Sequence, residues 1–270
     1  MSVSRSDEYS QLAHLIAATR ETSGDLFGKA LVDWLLQHVS FDHCVIFGYR
    51  GASRPPLLFE TFSPAESHVF VALYQEGPYL LDPFHHAAVE RKEGFWRMRE
   101  LAPDRFYTSE YFRSYYSQTR LAEEVGFFVP LPDKDALVVS LMRLRASGPF
   151  GTADSRLLRD MAPAVISLAK LRWPGLPVDE PTGTKQDEAV APVNEFDRAH
   201  IWQSLSLTPR EKHVVDLVLQ GHSTESIARA MRIVPGTVKV HRRNIYRKLK
   251  IKSQAGLFAR FVEIIDSRIR

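Results

Sequence analysis

Between Trp173 and Ala199 the chain reads WPGLPVDEPTGTKQDEAVAPVNEFDRA, with four prolines, two glycines and almost no apolar periodicity. Proline withholds backbone donors, and both residue types interrupt regular elements. Such a stretch cannot thread a core and reads as a linker. The 270 residues are therefore expected to fold as two units, 1–175 and 201–270, joined by a linker over 176–200. Charge divides at the same place. Residues 201–270 hold 14 Lys and Arg against 5 Asp and Glu, or +9, while the whole chain carries only +3, which leaves −6 for residues 1–200. Positive charge segregated in this way points to an anionic partner for the second unit.

The first unit has the composition for a sizeable core, since the chain is 44% hydrophobic and 25% charged. Apolar periodicity predicts a helix over 24–38, strands in HCVIFGYR and PPLLFETF, and a mostly helical middle. Strands in EVGFFVPL and ALVVSLMRLR follow, then a long helix from Thr152 to Arg172. Strands adjacent in sequence with helices before and after predict an α+β chain: an α/β/α sandwich with an antiparallel sheet, followed by a small all-α domain. No apolar run approaches membrane-spanning length, and MSVSRSDEYSQL lacks the apolar run of a signal peptide. A lone cysteine, Cys44, cannot form an internal disulfide. These features predict a cytoplasmic protein without a membrane partner.

The second unit carries explicit helix signals. Thr208-Pro209-Arg210-Glu211 has the form of a capping box with proline at the first helical position. Val214, Val215, Leu217 and Val218 give that helix an apolar side, and Gly221 is placed to end it in a left-handed cap. Ser223 is set to cap a second helix that buries Ile227 and Met231. The third helix is the basic stretch GTVKVHRRNIYRKLKIK, with seven Lys and Arg and no acid. Val238, His241, Ile245 and Leu249 share its inward face, and Lys239, Arg243 and Arg247 form a separate stripe. A fourth helix, SQAGLFARFVEII, starts at Ser253 and closes the core with Leu257, Phe261 and Ile265. Two short helices joined by a turn, the second presenting cations over an apolar back, form a helix-turn-helix suited to a DNA major groove.

The run LTPREKHVVDLVLQGHSTESIARAMRIVPGTVKVHRRNIYRKLKIKSQ resembles the LuxR-type DNA-binding domain in its LTPRE opening, its IA pair and its GTVKVH..NIY.KL pattern. The resemblance implies that Lys239, Val240 and Arg243 approach base edges, that Arg242, Tyr246 and Arg247 lie closer to phosphates, and that the protein binds double-stranded DNA as a homodimer. One departure is Val234, where the family often places serine or threonine as the N-cap. Valine cannot accept the amide hydrogen bond there.

In the first unit, VFVALYQEGPYLLDPFHHAAVERKEGFW places Phe70 and Tyr74 four apart, then Asp82-Pro83 and Trp96, with Gly126 later. This order resembles the ligand-binding domain of quorum-sensing LuxR proteins, in which a Trp and a Tyr four apart precede an Asp-Pro and a second Trp. It implies ligand-binding roles for Phe70, Tyr74, Asp82 and Trp96. The Tyr to Asp-Pro spacing is one residue shorter than in the family, and Phe70 replaces a Trp whose N–H holds the lactone carbonyl. The signal is then either an acyl-homoserine lactone or a small amino compound, because a carboxylate in an apolar pocket demands a donor. Plain core packing by the aromatics and helix capping by Asp82 explain the same residues without a ligand. The segment with Tyr107, Tyr111, Tyr115 and Tyr116 reads as a half-buried helix or a lid.

Other chemistries are disfavoured. His85 and His86 point about 100° apart on a helix and no second pair has ligand spacing, so neither metal nor cofactor is expected. Cys44 lies in an apolar strand, and no phosphate loop or G-x-S-x-G motif occurs, which argues against an enzyme. A response regulator needs an acidic cluster that the first strands lack. A regulator controlled by a protein partner, or by no ligand, stays open.

Overall fold

The computed structural model describes residues 5–21, 24–177 and 205–269, so the expected linker lies outside the described residues from 178 onward. Helices α1 (Arg5–Ala18) and α2 (Gly24–Leu36) lead into β1 (His43–Tyr49) and β2 (Leu57–Glu60). Helix α3 (Pro64–Ser67) runs on into a π-helical turn (His68–Leu73), and a 3-10 turn (Pro78–Leu81) precedes α4 (Pro83–Val89). Then come β3 (Gly94–Arg97), α5 (Met98–Leu101), α6 (Glu110–Ser114), β4 (Leu121–Pro130), β5 (Ala136–Leu144) and α7 (Thr152–Arg172). The strands form one sheet in the order β2-β1-β5-β4-β3, antiparallel at every step.

Side-chain alternation along these strands separates two cores. Cys44, Ile46, Val125, Phe127, Val139 and Leu141 point to one face, against residues of α1, α2 and α7. Val45, Phe47, Tyr49, Phe128, Val138 and Met142 point to the other. With both faces covered, the strands read as nearly continuous apolar runs. Strand β3 and helix α1 were not expected from the sequence. β3 has only four residues and exists through pairing with β4, Phe95 opposite Phe127 and Trp96 opposite Gly126. So short a run has too few positions for alternation to register.

The tyrosine segment is neither one helix nor an open lid. It breaks into a 3-10 turn (Phe106–Thr108), α6, and a second 3-10 turn (Tyr116–Thr119). Tyr111, Tyr115 and Tyr116 are buried, whereas Tyr107 is exposed. The rings of Tyr107, Tyr111 and Tyr116 all gather around Phe106, with centroids 5.2–5.8 Å away. Packing toward a single point replaces helical regularity.

The second unit is α8 (Pro209–Gln220), α9 (Thr224–Met231), α10 (Pro235–Leu249) and α11 (Gln254–Ile269). Its caps form as the sequence indicates. The Glu211 amide donates to Thr208 Oγ1 at 3.3 Å, and the Glu211 carboxylate accepts the Thr208 amide at 2.8 Å. Gly221 takes the left-handed conformation (φ 97°), and Ser223 accepts from the Ser226 amide. Val234 offers α10 no side-chain cap. Val214, Val215, Ile227, Val238, Ile245, Leu257 and Phe261 are buried. Met231, His241 and Leu249, expected inward, are only half-buried: Met231 and Leu249 are the last residues of α9 and α10, and His241 lies mid-helix at the margin of the small core.

One buried ion pair joins the sheet to the start of α7. Arg97 Nε and Nη2 donate to Glu123 at 2.7 and 2.6 Å, Nη2 also reaches the Phe150 carbonyl at 2.9 Å, and the Phe150 amide donates to Glu123 at 3.0 Å. Deleting Arg97 would leave the buried Glu123 carboxylate with only the largely exposed Arg99, 3.6 Å away, as a counter-charge. Arg97→Ala is therefore expected to cost about 3–5 kcal/mol in urea unfolding, and Arg97→Met with Glu123→Leu less than the single change.

Candidate functional site

The first candidate surface is the outward side of α10. Its inward residues Val238 and Ile245 fix the helix on the core, which turns Lys239, Val240, Arg243 and Arg247 to solvent. Arg242 and Tyr246, half-buried, pair with one another: Nη2 of Arg242 donates to the Tyr246 hydroxyl at 3.1 Å and its guanidinium lies 5.8 Å from the ring centre. Arg247 donates to Asn244 Oδ1 at 3.2 Å. Lys248 turns away from this surface to bind the Glu211 carboxylate at 2.7 Å, locking α10 to the cap of α8. An open cationic stripe on a rigidly seated helix is the form needed to reach base edges and phosphates.

The second candidate site lies on the sheet face that carries Tyr49 and Phe47. The start of α4 places Asp82 there as N-cap, where one carboxylate oxygen accepts the Phe84 amide at 2.9 Å and the other accepts the Tyr74 hydroxyl at 2.6 Å. The Tyr49 and Tyr74 hydroxyls are 3.1 Å apart. The Tyr74 ring stands 6.1 Å from that of Tyr115. Gly126, central in β4, leaves room for α4: a Cβ there would lie 2.9 Å from the Phe84 ring. Of the residues singled out in sequence, Tyr74 and Asp82 are thus brought together. Phe70 instead stacks on Phe62, ring centres 4.4 Å apart. Trp96 sits at the sheet edge, where its Nε1 donates to the Glu93 carbonyl at 3.1 Å and Lys92 lies over its ring.

Sequence reasoning missed Glu124. It belongs to the adjacent acids Glu123-Glu124 inside a strand, and the period of two sends one to each face. Glu123 meets Arg97, while Glu124 points into the tyrosines and accepts from the Tyr116 hydroxyl at 3.4 Å. A groove of about 280 Å3 opens beside it, lined by Arg99, Tyr107, Tyr116, Leu121 and Glu124. The two acids in a strand that is otherwise apolar were the available signal.

Burial dominates the electrostatics. It pushes the Glu124 carboxyl up to about 8, with the charge of Asp82 adding to the effect, and pushes Asp82 up to about 6 against the hydrogen bonds from Tyr74 and Phe84. Tyr49, Tyr74, Tyr111, Tyr115 and Tyr116 are all held well above the usual tyrosine range by burial and by the charge of Asp82, with Glu124 adding to the effect at all but Tyr74. Among the described residues neither Asp82 nor Glu124 has a cationic partner. His85 and His86 do not supply one: each places Nε2 on a backbone carbonyl, that of Gly51 at 2.9 Å and that of Leu80 at 2.7 Å. Among the described residues no group of three or more His, Cys, Asp or Glu could hold a metal, and no helix is long and apolar enough to cross a membrane. Cys44 is fully buried, which pushes its thiol up and leaves it unreactive.

A carboxyl whose folded pKa is raised favours folding most when protonated, and the folded state loses stability as pH climbs from the unfolded value toward the folded one. Glu124→Gln removes that loss. It is expected to raise the melting temperature by a few degrees at pH 8 and to change it little at pH 4.5, as followed by calorimetry.

The family described as "Bacterial regulatory proteins, luxR family" matches residues 205–260, which span α8, α9, α10 and the start of α11. The "Putative HTH-type transcriptional regulator in exeN 3'region" of Aeromonas salmonicida is 32% identical over 183 residues, covering 67% of this chain and 93% of that protein. The nitrate/nitrite response regulator NarL of Escherichia coli K12 is 44% identical over 48 residues, only 18% of this chain and 22% of its own length. Among solved structures, the VqsR LBD domain of Pseudomonas aeruginosa superposes with a TM-score of 0.52 and 26% identity, covering 61% of this chain and 94% of that one. With a helix-turn-helix that presents its cations, and a relative matched over nearly its whole length, the chain belongs to the luxR family of bacterial regulatory proteins and is a DNA-binding transcription regulator.

Proposed function

We propose that this regulator is controlled by a small molecule bound among Asp82, Glu124 and the surrounding tyrosines, and that the ligand carries a cationic amine. The observation that carries this reading is the pair of buried acids without a cationic partner among the described residues. An ammonium group would supply the missing charge, and tyrosine faces and hydroxyls suit such a guest. The likeness to the VqsR LBD domain supports a sensing role for this half of the chain. An acyl-homoserine lactone is a poorer match. Phe70 has no N–H, and that of Trp96 is spent on Glu93. A regulator without any ligand is favoured by one fact, that Tyr74 and Phe84 already satisfy Asp82.

In this reading the protein acts in the cytoplasm as a homodimer. Two α10 helices enter successive major grooves, with Lys239, Val240 and Arg243 at base edges and Arg242, Tyr246 and Arg247 at phosphates.

A thermal-shift comparison of the full chain against small amines and acyl-homoserine lactones tests the ligand. At 100 times its Kd a true ligand adds about 2.7 kcal/mol. A cation binds the ionised acids, so affinity for an amine should rise from pH 6 to pH 8, and Asp82→Ala should abolish the shift. A shift with lactones alone, or with neither class, would reject the amine. On DNA, Arg243→Ala is expected to cost about 1–3 kcal/mol and relax preference at one base pair, whereas Arg242→Ala weakens all sequences alike. A dimer neutralising about eight phosphates gives a slope of log K against log salt near −7.

A further inference from the structure

Residues 103–119 face two ways. On one side Tyr111, Tyr115 and Tyr116 are buried around Asp82 and Glu124. On the other side the same segment holds the DNA-binding helices. The Arg105 amide donates to the Gly221 carbonyl at 2.9 Å, and the Ser223 amide donates to the Asp104 carboxylate at 2.9 Å. Helix α6 packs against α8 and α11. The approach is close: a Cβ on Gly221 would lie 2.9 Å from the Cα of Phe106. A second touch falls on the turn between Tyr74 and Asp82, where a Cβ on Gly77 would lie 2.7 Å from the Ile265 side chain of α11. The DNA-binding unit thus rests on both segments that enclose the carboxylate cage.

Ser223 is the N-cap of α9, the first helix of the helix-turn-helix, the one that crosses the DNA backbone. The amino end of such a helix attracts phosphate. Here an acidic side chain from the other unit already lies on it. We propose that Asp104 is an interdomain latch that holds the DNA-binding unit in a weak-binding arrangement by occupying the place of a DNA phosphate, and that opening the tyrosine cage releases it. The trigger rests on the ligand reading above; the latch does not. In the structure the cage is closed on itself, with Tyr74 on Asp82 and Tyr116 on Glu124. A guest that takes Glu124 must displace the Tyr116 hydroxyl, which belongs to the segment that carries Asp104, and one that takes Asp82 must displace Tyr74, beside the turn that touches α11. By linkage, whatever opens the latch also favours the open cage.

The test uses the full chain, a duplex of arbitrary sequence, and hydrogen exchange. Asp104 is exposed, so Asp104→Ala leaves the cores intact. In Asp104→Ala, exchange should rise together in segments 103–106 and 221–224 while 214–219 stay protected. Affinity for the duplex should increase five-fold or more, with a salt slope steeper by about one phosphate contact. Asp104→Asn, which keeps an acceptor without the charge, should fall between. Unchanged exchange, or equal or weaker DNA binding in Asp104→Ala, overturns the latch. Tyr74→Phe, with Asp104 intact, should raise exchange at 221–224. No change there, beside a clear effect of Asp104→Ala, overturns the cage as trigger. The amine thermal shift is read on protein with Asp104 intact, so its failure rejects the ligand and leaves the Asp104→Ala result standing.

Discussion

Two carboxyl groups on the second face of the sheet set the terms for this half of the molecule. Asp82 and Glu124 are taken out of water among tyrosines, and neither meets a lysine or arginine among the described residues. Taking a carboxylate into such surroundings is costly unless donors or a counter-charge receive it. The chain answers with hydroxyls, Tyr74 on Asp82 and Tyr116 on Glu124, and by letting the acids hold protons longer than usual. The same interior treats a different acid differently. Glu123, one residue away on the opposite face, has Arg97 in bidentate contact and is structural. Adjacent residues in one strand thereby divide into a brace and a candidate recognition group.

The tyrosines that receive these acids come from short turns and α6, which also form the seat of the DNA-binding helices. The two units consequently do not have separate interiors. Apolar packing runs from Phe47 and Phe84 through Phe106 and Tyr111 to Val214, Ile227 and Phe261. Close-packed interiors transmit displacement, because side chains have few alternative places to go. Gly221, positive in φ as a helix cap, is also a point of close approach between the two units, so one residue serves both the end of α8 and the junction.

Much of the second unit was legible residue by residue. Thr208, Glu211, Gly221 and Ser223 act through backbone groups within a few positions, and local chemistry of that kind does not depend on the rest of the fold. The same holds for Val238 and Ile245, whose spacing alone assigns α10 an inward side. Less was legible in the first unit. β3 owes its existence to β4, and the π-helical turn before Tyr74 carries no local signature. The break-up of the tyrosine segment follows from rings converging on Phe106. In each case the deciding partner is distant in sequence. The order Phe70, Tyr74, Asp82, Trp96 suggested one cluster, yet Phe70 stacks on Phe62 and Trp96 turns to the sheet edge.

The sequence by itself determined the four-helix module, its cationic outward stripe and the two-sided apolar strands. Those follow from periodicity, capping and composition, which are properties of neighbouring residues. Only the tertiary structure decided that Asp82 meets Tyr74, that Glu124 joins them while Glu123 does not, and that Asp104 lies on the N-cap amide of α9. Strand pairing and the docking of one unit on another bring together groups separated by tens of residues or more. The strength of a buried charge depends on that assembled surrounding, which no local pattern records.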